Sequence, residues 1–241
     1  MKEFLVFIPV YNEEKSIRTI VSEIRNITDK VDILIIDDGS TDDTPSILDN
    51  TKNIQTIRHS KNQGYGQTLI DGFNYAAEMG YRYVITIDSD KQHQPMEINE
   101  FISAVQQFDA DIVSGSRYLN TSREALKKAP EDRIRVNRKI TNIINNLTGF
   151  QITDSFCGFK LYKVEALKKL RLTEAGYGLP LQLWIQAWEK GLTVTEIPVE
   201  LIYFDHTPQQ TSSWKNMFKR YKYFLQIIQK EMEDNETSMI K

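Results

Sequence analysis

The first 115 residues alternate short apolar runs with longer amphipathic stretches. The apolar runs predict five strands, at residues 4–8, 33–36, 54–57, 83–87 and 112–113. The amphipathic stretches predict four helices, near residues 13–27, 43–50, 66–79 and 95–107. Because short strands that alternate with helices are typical of βαβ units, we expect an α/β fold with a mostly parallel sheet flanked by helices.

The second half of the chain is predicted to be richer in helix. Its pattern indicates helices near residues 130–147, 180–190 and 213–233, and a strand at 193–199. The last helix is amphipathic, with a broad apolar stripe flanked by lysines and an arginine, and it could lie in a membrane interface, on a partner or on its own domain. We expect one domain over residues 1–212 and a C-terminal helical extension over 213–241.

Composition narrows the protein class. A formal net charge of −3 over 241 residues gives no bias toward nucleic acid, so we expect no nucleic-acid partner. Cys157 is the only cysteine, which favours a reducing compartment. No apolar run reaches the roughly 18–20 residues that span a bilayer, and the first residues are strand-like, without the pattern of a cleaved signal. These features favour a cytoplasmic protein, with peripheral membrane attachment and a homo-oligomer or membrane-protein partner left open.

Polar clusters follow several of the predicted strands, where ligands bind in parallel sheets. Asp88 and Asp90 come directly after the strand at 83–87. Two carboxylates one residue apart on an extended backbone point the same way, and oxygen ligands of this kind suit Mg²⁺ or Mn²⁺. The alternative for a bare pair of this kind is a helix-capping turn.

The surrounding sequence is more specific than the carboxylate pair alone. Residues 87–95 read IDSDKQHQP, and further matching segments occur in order: IPVYNEE at 8–14, IDDGSTD at 36–42, NQGYG at 62–66, GSRY at 115–118 and DSFCGFK at 154–160. This set resembles the family 2 glycosyltransferases of the GT-A fold, in particular their polyprenyl-phosphate, dolichyl-phosphate mannose synthase-like branch. The resemblance implies an inverting hexosyltransferase of cell-envelope synthesis that uses a GDP- or UDP-linked sugar.

The resemblance also implies roles for individual residues. Asp88, Asp90 and Gln92 would face the metal and the diphosphate, and Asp88, Asp90 and Arg117 would carry catalysis. The nucleotide sugar would be held by Pro9, Tyr11, Glu13, Ile36, Asp38 and Ser89. The residue chemistry agrees, because Tyr11 can stack on a ring, Asp38 can accept from a base N–H and Glu13 can accept from ribose hydroxyls. Residues 37–40 also suit an ordinary turn, with Asp42 or Asp43 capping the next helix.

The acceptor is predicted from charge. Residues 117–139 contain eight Lys or Arg against three acids, and the guanidinium fork of Arg117 suits a phosphate. We expect Arg117 to bind an acceptor phosphate with help from Arg133. A hydroxyl acceptor would need a base, yet no acid occurs between Glu174 and Glu189. A polyprenyl phosphate is therefore favoured; a hydroxyl acceptor in polysaccharide or glycolipid synthesis, with Asp154 as base, stays open.

Some features depart from the family pattern or carry less information. The branch usually has an acid where Gln182 or Gln186 stands, and a basic segment where residues 204–215 read FDHTPQQTSSWK, which leaves the donor sugar open. For His93 we expect a structural hydrogen bond rather than a ligand role, and His59 and His206 have no comparable neighbours near the predicted metal site.

A nucleotidyltransferase is disfavoured because the loop after the first strand is acidic rather than Gly-rich and basic. A non-catalytic nucleotide-sugar binding module is disfavoured because Asp88, Asp90, Gln92 and Arg117 are all present.

Overall fold

A seven-stranded sheet forms the centre of the molecule. The computed structural model describes residues 2–28, 30–122, 124, 126, 129–203 and 214–239, without the side chains of 214–217 and 235–239. The strands are β1 (Lys2–Val10), β2 (Val31–Asp37), β3 (Gln55–Arg58), β4 (Tyr81–Thr86), β5 (Ile112–Ser116), β6 (Lys160–Lys163) and β7 (Val194–Pro198). Their order is β3-β2-β1-β4-β6-β5-β7. Every neighbouring pair is parallel except those that include β6, which confirms the predicted mostly parallel sheet.

Eight α-helices and a short 3₁₀ turn are assigned in the described parts of the chain. The helices are α1 (Ile17–Ile27), α2 (Thr44–Asp49), α3 (Tyr65–Glu78), α4 (Ile98–Phe108), α5 (Glu131–Thr148), α6 (Val164–Leu167), α7 (Leu179–Glu189) and α8 (Trp214–Met239), and the turn spans Pro95–Glu97. The helices predicted from the apolar spacing are all found. The first one starts later than expected, because residues 11–16 form the loop that leaves β1.

The strands of the sheet are buried on both faces. Along β1, alternate side chains enter different cores: Leu5 and Phe7 join the helices α3, α5, α7 and α8, whereas Val6 and Ile8 join α1 and α4. All four are fully buried. A two-sided core explains why β1 reads as a continuous apolar run rather than as an alternating one.

Strand β6 was not predicted, and it is the one antiparallel member of the described sheet. It pairs with β4 through Ile85↔Leu161 and with β5 through Val113↔Leu161. Its first residue, Lys160, is 2 % exposed, and its ammonium group lies over the Trp184 ring and donates to the Cys157 carbonyl. A buried lysine interrupts the apolar pattern from which strands are recognised, so the spacing gave no signal.

The C-terminal helix α8 packs on its own domain from Tyr221 onward. Phe224, Ile227 and Ile228 are buried in the core beside α7. Glu231 is also buried, and its two oxygens accept hydrogen bonds from the side-chain amides of Gln182 (2.6 Å) and Gln186 (2.9 Å). The domain boundary at 212/213 stays a prediction, because residues 204–213 lie outside the described part.

None of the described helices is long and apolar enough to cross a membrane.

We expect Glu231→Ala to lower the free energy of unfolding by about 1–3 kcal/mol, because each of two buried amides loses one of its two hydrogen-bond acceptors. Urea denaturation of the whole chain measures the change. Glu233→Ala, two residues later on the exposed side of α8, is the control and should stay within about 0.5 kcal/mol of wild type. Equal losses in the two variants would show that Glu231 does not anchor α8.

Candidate active site

The loops after β1 and β2 are tied together at the edge of the sheet where their strands end. Asn12 N–H donates to Ser40 Oγ (2.8 Å), and Glu13 N–H donates to Thr44 Oγ1 (2.8 Å). Within the strands, Pro9 and Ile36 stand opposite each other and are buried. Ser89 is drawn to the same place, since its hydroxyl donates to the Pro9 carbonyl (3.0 Å). The structure therefore brings together the segments that carry the predicted nucleotide-binding residues.

Among these residues, Tyr11 and Asp38 differ in accessibility. Tyr11 is 46 % exposed, which leaves its ring free to stack. Asp38 is buried, and its carboxylate meets His59 Nδ1 (2.7 Å) and accepts from the N–H groups of Gln63 (2.7 Å) and Gly64 (2.9 Å). Three of about four acceptor positions on that carboxylate are thus occupied. Base recognition by Asp38 stays a prediction that rests on the remaining position.

His59 has partners that sequence reasoning missed. Its Nε2 lies 3.0 Å from Asp71 on α3, so the ring joins Asp71 to Asp38 across the ends of β2 and β3. The sequence did not indicate these two carboxylate contacts of His59. Asp71 lies twelve positions further along the chain, on a helix, so no local sequence pattern connects it with His59.

Asp88 is held on both of its oxygens. Tyr65 donates its hydroxyl to Oδ1 (2.9 Å), and His93 contacts Oδ2 through Nε2 (3.2 Å). Gly158 lies so close that a Cβ there would collide with the carboxylate. Burial alone would raise the pKa of Asp88, but the hydrogen bond and charge of His93 and the Tyr65 hydroxyl lower it. The hydrogen bond expected of His93 is present, whereas the role of Tyr65 was missed.

The negative charge of Asp88 contributes to a raised pKa at both Asp90 and Glu13. Partial desolvation at the edge of the site and the Asp88 charge raise the pKa of Asp90, whose carboxylate accepts from Gln92 N–H (3.0 Å). Burial, together with the charges of Asp90, Asp42 and Asp88, raises the pKa of Glu13 to about 7 even though Ser16 donates to it. A cation among these groups would relieve their mutual repulsion.

The predicted metal ligands were tested against the chemistry that Mg²⁺ and Mn²⁺ require. No group of three or more His, Cys, Asp or Glu side chains is arranged as a cage among the described residues. Asp88 and Asp90 supply carboxylates and Gln92 an amide oxygen from one short loop. Mg²⁺ is usually bound by one or two carboxylates plus substrate phosphates and waters, so this open set fits a cation that arrives with a diphosphate.

Arg117 follows β5, and its guanidinium is committed to Asp154. Nε donates to Oδ2 (2.7 Å) and Nη2 to Oδ1 (3.0 Å), and Asn137 adds a third bond to the same carboxylate (2.7 Å). Burial alone would raise the pKa of Asp154, but the charge and hydrogen bonds of Arg117 hold it at about 2. Asp154 is fully buried, so it is not placed to take a proton from an acceptor. Phosphate binding by Arg117 stays a prediction, and only its other N–H groups are available for it.

The arginines of α5 fall on different faces. Arg133 is half-buried and lies one turn before Asn137, on the face that meets Asp154. Arg135 and Arg138 are exposed and line a cavity on another face, and Arg135 pairs there with Glu131. The geometry thus favours Arg133 over its neighbours as the residue of α5 directed at the site.

The chain was compared with known families and structures. A family model described as Glycosyl transferase family 2 matches residues 5–171, more than half of the chain. The chain belongs to glycosyltransferase family 2. It is an enzyme of the glycosyltransferase class, as the ordered motifs predicted.

Two curated relatives cover most of this glycosyltransferase. It is 29 % identical over 203 residues to polyprenol monophosphomannose synthase of Mycolicibacterium smegmatis, covering 81 % of this chain and 76 % of that one. It is 28 % identical over 249 residues to UDP-N-acetylglucosamine–dolichyl-phosphate N-acetylglucosaminyltransferase of Methanococcus voltae, covering 96 % and 97 %.

Solved structures support the fold. Glucosyl-3-phosphoglycerate synthase from Mycobacterium tuberculosis, in complex with UDP, superposes with a TM-score of 0.73 at 18 % identity, over 95 % of this chain and 80 % of that one. The same enzyme has been solved with Mg²⁺ and UDP, again with a TM-score of 0.73 and 18 % identity, over 95 % of this chain and 79 % of that one. At this identity the likeness establishes the GT-A fold alone.

We expect Tyr65→Phe to weaken Mn²⁺ binding in the presence of a nucleoside diphosphate by about tenfold, because Asp88 loses the hydroxyl that orients it. Isothermal titration calorimetry measures the affinity. Tyr75→Phe, on the same helix but away from Asp88, is the control. Unchanged affinity in Tyr65→Phe would show that the hydroxyl does not prepare the carboxylate.

The raised pKa of Glu13 predicts a pH-dependent stability. The folded protein keeps the proton on Glu13 up to about pH 7, whereas the unfolded chain releases it near the ordinary value of about 4.3. Stability from this group therefore falls as the pH rises through that window. Without added metal, Glu13→Gln should raise the melting temperature relative to wild type at pH 8 and not at pH 4.5.

Differential scanning fluorimetry across the pH range measures this difference. Glu3→Gln, which removes an exposed carboxylate of β1, is the control and should leave the pH dependence unchanged. A Glu13→Gln gain of equal size at both pH values would contradict the assignment.

Proposed function

We propose that this glycosyltransferase transfers a sugar, with inversion, from a GDP- or UDP-linked donor to the phosphate of a polyprenyl or dolichyl phosphate. The observation that carries the proposal is the pairing of Arg117 with a fully buried Asp154. This pairing removes the candidate base that a hydroxyl acceptor would need. The two curated relatives, whose names specify polyprenol and dolichyl-phosphate acceptors, support the same acceptor class.

The donor would lie across the ends of β1, β2 and β4. Pro9 and Ile36 would form the apolar floor for the nucleoside, Tyr11 would stack on it, and Glu13 would accept from the ribose hydroxyls. Asp38 would accept from the base through its remaining lone pair, and Ser89 would hold the loop against Pro9. The support is spatial, because these segments converge at one edge of the sheet.

The diphosphate would lie at Asp88, Asp90 and Gln92, which would hold Mg²⁺ or Mn²⁺. A bound divalent cation supplies charge compensation for the departing nucleoside diphosphate. Tyr65 and His93 would keep the Asp88 carboxylate in place throughout, because each holds one of its oxygens. The solved fold relatives contain Mn²⁺ or Mg²⁺ with UDP, which supports divalent-metal use.

The acceptor phosphate needs positioning rather than deprotonation, because it is already anionic at neutral pH. Arg133, on the face of α5 that meets Asp154, would provide the positive charge, and Arg117 would add its free N–H groups. One phosphate oxygen would attack the anomeric carbon from the side opposite the diphosphate, so that the sugar–oxygen bond to the donor breaks as the new one forms. The acceptor also places the enzyme at a membrane surface, as a peripheral protein of the cytoplasmic face.

The experiment is a transfer assay with short polyprenyl phosphates and a panel of GDP- and UDP-sugars, with Mn²⁺ or Mg²⁺. We expect release of nucleoside diphosphate and formation of the lipid-linked sugar with one donor, and loss of both on chelation. Asp90→Asn should lower kcat by about a hundredfold or more, because removing one stabiliser of transition-state charge costs about that much.

The free polyprenol and a sugar hydroxyl serve as controls for the acceptor. Transfer to either of them, with none to the polyprenyl phosphate, would overturn the proposed acceptor. An absence of turnover with every donor would overturn the proposal as a whole.

A further inference from the structure

A short loop before α7 lies against the proposed diphosphate site. The ring of Tyr177 in this loop is 72 % exposed and stacks on Tyr65, with 5.5 Å between ring centroids and 16° between planes. Tyr65 in turn donates to Asp88. We call residues 174–178 the rim loop, because it brings an exposed side chain next to the carboxylates of the site.

The rim loop is fixed from below by α3. The Gln67 N–H donates to the Ala175 carbonyl (3.1 Å). Gly64 and Gly66 lie so close under the loop that a Cβ at either position would collide with its carbonyl oxygens. The loop therefore has a defined position relative to Tyr65 and Asp88.

The rim loop is fixed from above by the C-terminal helix. Tyr223 on α8 donates its hydroxyl to Glu174 Oε1 (2.6 Å). Gly176 and Gly178, on either side of Tyr177, leave no room for a Cβ against Tyr223 and Ile227. The part of α8 around Tyr223 is thus held beside the rim loop, and the Tyr223 face of the helix is turned toward Tyr177.

Arg220 lies on that face. It is three residues before Tyr223, so the two side chains are neighbours on the helix surface. Arg220 is exposed, and it makes no ion pair with the described residues. Desolvation and the charges of Asp88, Asp90 and Asp38 raise the pKa of Tyr177, and the charge of Arg220 opposes that rise, which agrees with a position of Arg220 near Tyr177.

Two of the cations on this side of the site are already engaged. Arg117 is neutralised by Asp154 through two hydrogen bonds. Lys160 is buried, and its ammonium group donates to a backbone carbonyl. A phosphate monoester that approaches Asp88 and Asp90 meets repulsion from both, so it needs a cation that is not already paired.

We propose that Arg220 of the C-terminal helix binds the phosphate of the acceptor at the rim of the active site. The inference rests on the proposed function and adds to it a residue outside the segment that matches the family model. It makes α8 part of the acceptor site, held there by Tyr223, Glu174 and the rim loop.

The test compares Arg220→Gln with Lys222→Gln in the full chain. Lys222 is also exposed, but it lies about 200° further round the helix, since each residue turns by about 100°. We expect Arg220→Gln to raise KM for a polyprenyl phosphate on the order of tenfold, because a charged hydrogen bond is lost. KM for the nucleotide sugar should not change. Arg220→Lys should recover part of the loss, and Lys222→Gln should behave as wild type.

Binding of farnesyl phosphate, measured by calorimetry with nucleoside diphosphate present, tests the residue without any turnover. Weaker binding in Arg220→Gln alone supports the proposal. Equal acceptor KM in the two Gln variants, a rise confined to the donor KM, or wild-type binding of farnesol as tight as that of farnesyl phosphate would overturn it. A wild-type enzyme that transfers only to hydroxyl acceptors would refute the proposed function, whereas an active wild type with an unaffected Arg220→Gln would refute this inference alone.

Discussion

Mutual repulsion among Asp88, Asp90 and Glu13 is the constraint around which the site is built. Each of these carboxylates acts on the others, and the result is a raised pKa for Asp90 and for Glu13. The pKa of Asp88 is lowered instead, because Tyr65 and His93 each form a hydrogen bond to one of its oxygens. A nucleoside diphosphate is itself anionic, so this arrangement favours a donor that arrives with a divalent cation and disfavours one that arrives alone.

On the proposed acceptor side, the buried charges are paired with each other instead of repelling each other. There Arg117 and Asp154 form a buried pair, and Glu196 holds the loop of Asp154 by accepting from Thr153 and Asp154 N–H groups. Such a pair contributes little net charge to the pocket, and its two hydrogen bonds fix the backbone after β5. The site therefore combines an unbalanced negative half with a nearly neutral half, and the half-buried Arg133 of α5 lies on the helix face that meets the latter.

The parts of the molecule that could be predicted are those with local patterns. The buried parallel strands and the helices left clear periodicities, and the polar residues of the motifs follow their strands directly. The parts that could not be predicted depend on contacts between distant residues. Strand β6 begins with a lysine whose ammonium group is buried against the ring of Trp184, which lies on α7, and donates to the nearby Cys157 carbonyl. His59 joins two carboxylates that neither spacing nor composition connects to it.

The glutamines of α7 show that an acid expected in one helix can be absent while a carboxylate from another helix lies beside it. Family members of the polyprenyl-phosphate branch carry an acid in this helix, and its absence at Gln182 and Gln186 first suggests a changed site. In the fold, Glu231 of α8 supplies a carboxylate between the two amides. The amide oxygen of Gln182 also accepts from the backbone of Thr173 and Glu174, at the start of the rim loop.

A carboxylate from α8 thus lies where α7 itself offers only amides, and the consequence is structural. Because Glu231 is buried against the amides of α7, removing α8 would take one of two acceptors from each of these amides and would leave the rim loop without Tyr223. The C-terminal helix is therefore not a detachable appendage in physical terms. It completes the core beside α7 and holds the rim loop, so the geometry around Asp88 depends on it through Tyr177 and Tyr65.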